Sequence, residues 1–356
     1  MESSFPTHRP PALAVTLVSA SDTRDSARIA KRLSGAAAVE SFVLDVPESD
    51  SGEFAVGLAA ELARQADDGE SGVTVVALDP AADPMEVALV LEHLLRRRHP
   101  GDTRIGVLDV VAVTSVAEVS RVLLGTPSGE RAPQSPHEWD AAETLAGRLE
   151  FATLVVLTDD RGTNGDAAAQ ARDLLAALSP GADVLRVDEL DQYRRRRANL
   201  TPQRAHRLAS DLGWQRALRG VAATETGSVT THVFREPLPF HPERLNAAVS
   251  SDFVASRVGR ILRSRGLARL ASRADRVASW SIAGDVLALD PTSIRSWDAD
   301  APLGQELVFF GCDLDVGELD RVLHGCLLTS DELLAGPALW DSLDDPFPRW
   351  EDEHQH

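Results

Sequence analysis

From residue 13 onward, short apolar runs alternate with longer stretches in which apolar residues recur every three or four positions. The runs "LAVTLV" (13–18), "SFVLDV" (41–46), "VTVVAL" (73–78), "VLDVVAVT" (107–114), "TLVVLT" (153–158) and 183–187 read as buried strands. Between them, 24–34, 53–67, 84–98, 116–124, 138–149 and 165–178 carry the helical period, and "GTPSGERAPQSPH" (125–137) reads as a loop. Short buried strands separated by helices of this length indicate βαβ units and a mostly parallel α/β sheet.

The pattern changes after this first domain, which is placed at 1–191. Residues 192–226 are rich in Arg and predict a helical linker. A smaller α+β domain follows at 227–335. Its strands are expected near 228–235, 266–271, 277–282, 285–290 and 305–311, and its helices near 242–250 and 316–325. Residues 336–356 form an acidic, turn-rich tail.

A chain of 356 residues is long enough for two domains that each bury a core. No apolar run reaches the length that spans a bilayer, and "MESSFPTHRPP" lacks the apolar stretch of a signal peptide. The expected location is cytoplasmic, with no membrane partner. Cys312 and Cys326, the two cysteines, offer no disulfide framework and are expected as small buried side chains.

Net charge is −19, which argues against indiscriminate binding to nucleic acid. The basic charge is concentrated: 192–219 holds eight Arg against one Asp, and 257–276 holds seven Arg against one Asp. Lys31 is the only lysine.

That lysine decides the first question of chemistry. A strand, a tight turn and a helix at 13–34 is the arrangement in which a glycine-rich loop, a Lys and a Ser or Thr hold nucleotide phosphates and Mg²⁺. Here the turn has no glycine, and Lys31 lies too deep in the helix to reach a phosphate. Asp22 or Asp25 caps that helix, and Arg24 and Arg28 read as solvated. Asp79, Asp83 and Asp109, placed at or beyond strand ends, could hold Mg²⁺ or act as a base. Carboxylates there also cap helices, and Asp83 before Pro84 has that form. For metal, His324 with Cys326 and His354 with His356 are the close pairs, and neither has the spacing of a structural zinc site. His241 reads as a turn or cap residue beside Phe240.

The strip "SRVGRILRSRGLARLASRADR" carries Arg257, Arg260, Arg263 and Arg265. On a helix the first three share one side, a footprint for RNA phosphates. The alternative is a face neutralised by the chain's surplus carboxylates. In 305–311, strand alternation sends one of Phe309 and Phe310 inward and the other outward.

Five ordered blocks carry a resemblance: "FREPLPFHPERLNAAV", "VGRILRSRGLARLASR", "WSIAG", "QELVFFGCDLD" and "LHGCLLTSDEL". Together they closely resemble the C-terminal domain of the CobW-type GTPase and metallochaperone family, over residues 228–335. The resemblance implies that the first domain is a G domain of the phosphate-loop type. Ala82, Asp83 and Pro84 match that family's Ala-Asp-Pro. Ala77 and Pro80 stand where an acidic residue and a glycine are expected, Ala117 replaces an Asp, and Thr158 to Arg161 replace the guanine-specifying Asn-Lys-x-Asp. The family's Cys-x-Cys-Cys metal motif is absent, since no cysteine precedes 312. No catalytic, cofactor-binding or metal-binding residue carries over.

The eroded loop and the closing "ALWDSLDDPFPRW" are similar to an actinobacterial subgroup linked to zinc starvation and ribosome hibernation. The resemblance implies a non-catalytic adaptor in zinc homeostasis, with a protein partner at the ribosome or a ribosome-associated factor. RNA contact would run through Arg257, Arg260, Arg263 and Arg265. The alternative is a divergent GTP-binding metallochaperone that delivers zinc to a client, with GTP and zinc as its cofactors.

Overall fold

The computed structural model describes residues 13–35, 39–41, 51–68, 72–98, 105–125, 136–158, 165–197, 209, 211–221, 227–284 and 286–350. These fall into two compact units. One holds the segments up to Val119 with Gly147–Asn164 and Ser179–Leu212. The other holds Ser120–Ala146, Gly165–Leu178 and everything from Gly213.

The first unit is built on a parallel sheet of six strands. They are β1 (Leu13–Ala20), β2 (Val39–Ser41), β3 (Gly72–Ala77), β4 (Ile105–Thr114), β5 (Leu154–Leu157) and β6 (Asp183–Arg186), in the order β2-β3-β1-β4-β5-β6. All eight positions of β1 are buried, as expected of a central strand whose two faces are both covered. The chain pairs β1 with β3 on one side and β4 on the other, so the strand order reverses at β1. In open α/β sheets, the crevice beyond the strand ends at such a reversal is the usual ligand site. The helix Thr23–Ser34 packs Ile29 and Ala30 onto the same core as Val18, Val111 and Val156.

Most predicted elements of this unit are present with close bounds. Residues 42–46 of the strand expected at 41–46, and 126–135 of the expected loop, lie outside the described residues. The unit extends past residue 191. The helix Leu190–Arg197 buries Leu190 and Tyr193 in the sheet's core cluster, so the start of the expected linker is core.

The second unit is built on an antiparallel sheet in the order β10-β9-β8-β11-β7. Its strands are β7 (Thr230–Glu236), β8 (Arg260–Ala268), β9 (Arg276–Ala283), β10 (Val286–Arg295) and β11 (Gln305–Cys312). Trp280 is its largest fully buried side chain. The indole donates to Ser264 Oγ at 2.8 Å and meets Phe309 edge-on at 6.2 Å. The ring of Phe240 tilts against the same indole at 6.1 Å. Trp280 and Tyr are residues whose polar tip needs a partner when buried, and Ser264 supplies one here.

Two expectations are corrected in this unit. The strand expected at 266–271 begins six residues earlier, at Arg260. Gly259 makes this possible: it ends the short helix Ala255–Val258 with φ at 79°, and a side chain there would strike the Asp313 carbonyl. Phe309 and Phe310 do not divide between inside and outside, because both are fully buried. The helix Gly213–Leu218 packs against β11 and β7, so the sheet is covered on a face expected to be open.

The sheet's edge strand β10 carries Pro291, and its pairing with β9 loses register between Pro291 and Arg295. Both cysteines are buried and free. The end of the chain is not a loose tail as far as Trp350. Asp345 accepts from Arg273 Nε at 2.8 Å, Arg273 Nη2 at 3.0 Å and Ser272 Oγ at 2.6 Å. Trp350 lies over the Arg273 guanidinium at 4.4 Å, and its indole donates to the Leu289 carbonyl at 2.8 Å. Among the described residues, no helix is long and apolar enough to cross a membrane.

Candidate functional site

The crevice beyond β1 in the first unit is where a phosphate would be held, and the chain's own groups already occupy its donors. Only Ser21 and Asp22 separate β1 from the helix Thr23–Ser34. Asp22 is the cap: its carboxylate accepts from the Arg24 amide at 2.6 Å, and its carbonyl accepts from the amides of Asp25 and Ser26, both at 3.2 Å. These are the N–H groups that a phosphate at a helix start would need. An anionic side chain is already placed at the positive end of the helix dipole. Lys31 sits in the last turn of the helix and is exposed.

A second group fills the crevice from another direction. Arg148, near the end of the helix Pro136–Glu150, is 4% exposed. Its Nη1 donates to Ser21 Oγ at 3.0 Å and its Nη2 to the Pro80 carbonyl, joining the turn after β1 to the turn after β3. Burial pulls the guanidinium below its ordinary value, and the charges of Glu118, Asp83 and Asp79 hold it up. An arginine remains protonated through such shifts. A cation therefore stands in the crevice surrounded by three carboxylates, with Glu118 itself accepting from Thr114 Oγ1 at 2.7 Å.

The three candidate aspartates separate in role. Asp83 is a cap, accepting from the Met85 amide at 2.8 Å, while its own amide donates to Ser51 Oγ at 3.0 Å. Asp79 closes a turn by accepting from the Ala81 amide at 2.9 Å. Asp109 is not at a strand end. It lies within β4, buried, and accepts from Thr153 Oγ1 at 3.0 Å and Tyr193 Oη at 3.1 Å. Buried, bonded carboxylates of this kind hold elements together and have no open side for a metal or a substrate. Thr158 closes β5, its amide donating to the Thr114 carbonyl, and residues 159–161 lie outside the described residues.

The arginine strip of the second unit is corrected from helix to strand. Arg257 alone is helical; Arg260, Arg263 and Arg265 lie in β8. Arg263 is 1% exposed and cannot present itself to RNA. Its guanidinium forks onto Glu143, with Nη2 at 3.1 Å from Oε1, and donates to Ser281 Oγ at 3.0 Å. Arg265 comes within 3.3 Å of the same carboxylate, and Ser281 donates to it at 2.7 Å. Burial pushes the Glu143 carboxyl up, but the charge and hydrogen bonds of Arg263, with Arg265 and Ser281, outweigh it and bring it down to about 2. Arg257 pairs with Asp252 and, at 2.6 Å, with Glu318. Arg260 lies beside the Cys312 thiol, which burial pushes up.

The metal pairs do not assemble. His324 Nε2 lies 2.8 Å from Glu236, while Cys326 is buried and donates to the Val322 carbonyl. Burial pushes the Cys326 thiol up to about 11, so it is not a thiolate at neutral pH. His354 and His356 lie outside the described residues. Among the described residues, no group of three His, Cys, Asp or Glu is placed to hold a metal. His241 occupies the cap position of the helix Pro242–Ser251 without a side-chain capping bond.

Sequence reasoning missed Arg148 and Glu143. Arg148 had a signal: it stands three residues after Leu145, on the apolar stripe that also carries Ala142 and Leu149. Glu143 had none, because its partners are more than a hundred residues away.

Comparison with known proteins adds to this geometry. Residues 229–327 match the family described as the cobalamin synthesis protein cobW C-terminal domain. Over 315 residues the chain is 29% identical to a zinc chaperone of Mycobacterium tuberculosis, covering 80% of this chain and 74% of that protein. Over 236 residues it is 24% identical to the zinc-regulated GTPase metalloprotein activator 1 of Dictyostelium discoideum, covering 59% of this chain and 49% of that protein. Among solved structures, zinc-bound YjiA GTPase from E. coli overlaps 90% of this chain and all of its own, at 13% identity and a TM-score of 0.34.

Proposed function

We propose that this chain, whose residues 229–327 match the cobW C-terminal domain family, is a CobW-type protein that serves zinc homeostasis as a non-catalytic adaptor contacting a protein partner at the ribosome. The observation that carries the proposal is the state of the crevice beyond β1. Its amides are capped by Asp22, and Arg148 bridges the turns that would have to part around a nucleotide. A triphosphate placed there would compete with a carboxylate for the amides and would lie against Asp79, Asp83 and Glu118. A chain so arranged keeps the architecture and gives up the ligand.

The test is direct. Purified protein is titrated with GTP and with a fluorescent GTP analogue, and sedimentation with ribosomes from zinc-limited cells is compared with zinc-replete cells. The adaptor reading expects no nucleotide binding at micromolar protein and zinc-dependent sedimentation with ribosomes. Clear GTP binding overturns it.

A second reading rests on the names of the relatives, a zinc chaperone and a zinc-regulated GTPase metalloprotein activator. On that reading the chain binds GTP and delivers zinc to a client protein. It expects GTP turnover stimulated by Zn²⁺ and abolished by Asp83→Ala. The capping role of Asp83 makes a melting curve of that variant a necessary companion measurement.

A further inference from the structure

We propose that the basic face formed by the helices Thr23–Ser34 and Leu190–Arg197 of the first unit docks onto the phosphate backbone of a nucleic acid without reading its sequence. The proposal stands on this face alone, independent of the state of the crevice.

The two helices share a core: Ile29 and Ala30 from one, Leu190 and Tyr193 from the other. Their outer sides therefore form one surface. Lys31 and Arg32 end the first helix, and Arg194, Arg195 and Arg196 follow one another on the second. The Arg194 guanidinium rests against Gly35, the glycine that caps the first helix. Arg32 and Asp191 approach to 3.5 Å across the seam. Lys31, Arg32, Arg195 and Arg196 are exposed. Among the described residues no carboxylate pairs with Lys31, Arg194, Arg195 or Arg196.

This is an unusual concentration in a protein of net charge −19. Other arginines of the described chain are neutralised, as Arg257, Arg263 and Arg273 are by Asp252, Glu143 and Asp345. Clustered unpaired cations repel one another, and an anionic partner relieves that cost.

The chemistry of the face selects the partner. Docking sites for acidic proteins are expected to have an apolar centre with aromatic or aliphatic anchors. Every large exposed hydrophobic of the described chain lies outside these two helices. Phosphates fit better, because a guanidinium fork matches their oxygens in pairs. Stacking on bases needs an aromatic side chain at the surface. The one tyrosine, Tyr193, faces inward to Asp109, and Gln192 is the one amide side chain these helices expose. Contact is thus chiefly with backbone phosphates.

The experiment is fluorescence anisotropy of the full chain with labelled oligo-U, an RNA hairpin and a DNA duplex, at 50 and 200 mM salt. Four cations on phosphates of a single strand imply a fall of about 50-fold in affinity between those salts. The three probes are expected to bind with affinities that do not depend on base sequence. The variant K31E/R195E/R196E should lose binding and its salt dependence. The control R97E/R121E/R349E, with the same change in net charge at exposed arginines outside the two helices, should keep the salt dependence. Circular dichroism melts establish that both variants fold. If the triple reversal unfolds, R195A/R196A replaces it, with the salt slope reduced by half. The proposal is overturned if the control weakens binding as much as the patch variant, or if binding is insensitive to salt. It is equally overturned if polyglutamate binds and the nucleic acids do not.

Discussion

Replacing Arg148 by Ala removes a guanidinium that is 4% exposed and bonded to two different turns. Three carboxylates, those of Asp79, Asp83 and Glu118, then face the emptied space without their cation. Asp83 is exposed and the other two are half-buried, so they stay solvated; the loss of two hydrogen bonds from a charged donor that join the turns costs about 3–5 kcal/mol. The lost stem adds to this through packing. Arg148→Lys keeps the charge but cannot fork to both Ser21 Oγ and the Pro80 carbonyl, so about half the loss is expected. All six tryptophans, at 139, 214, 280, 297, 340 and 350, belong to the second unit. Tryptophan fluorescence therefore follows that unit, and circular dichroism follows both. In urea, R148A should move the circular dichroism transition to lower denaturant by the stated free energy while leaving the final fluorescence midpoint in place. A variant within about 0.5 kcal/mol of the parent, the range of an ordinary surface change, would refute the reading of Arg148 as a clip.

Three further outcomes are expected. Glu143 has a folded carboxyl value of about 2 against an ordinary 4.5, so the stability it confers is complete above 4.5 and falls away as pH drops toward 2. Acid titration followed by tryptophan fluorescence should show this loss in the parent, whereas Glu143→Gln is already about 3–5 kcal/mol less stable at pH 7 because Arg263 keeps its buried charge unpaired. Phe309→Ala should cost about 3–5 kcal/mol in urea unfolding of the second unit, since the ring is fully buried against Trp280. Asp345→Ala should free the strap that ends in Trp350, read as faster tryptic cleavage after the exposed Arg349 with a stability loss of about 1–3 kcal/mol.

The parallel sheet was legible because a strand buried on both faces reads as a continuous apolar run, as β1 does. Helix starts were legible from Asp22 and Asp83, whose short carboxylates reach the amides two residues on. The five blocks of the second unit identified its family where periodicity was ambiguous. The arginine strip defeated periodicity. Spacings of three suggest a helix, yet Gly259 breaks that helix and β8 is covered on both faces. An arginine inside such a strand needs a carboxylate from elsewhere, and nothing local announces Glu143. Phe310 misled for a related reason: alternation predicts an outer face only if no other element covers it, and Gly213–Leu218, from far earlier in the chain, packs against β11.

The edge of the second sheet has a consequence for solution behaviour. A bare outer strand offers a row of amides and carbonyls to any neighbouring strand, a route to aggregation. Here β10 withholds that row: Pro291 has no amide hydrogen, the ladder slips beyond it, and the Trp350 indole takes the Leu289 carbonyl. Restoring a donor with Pro291→Val while removing the indole would expose a template for growth, turning a self-limiting domain into one that polymerises edge to edge.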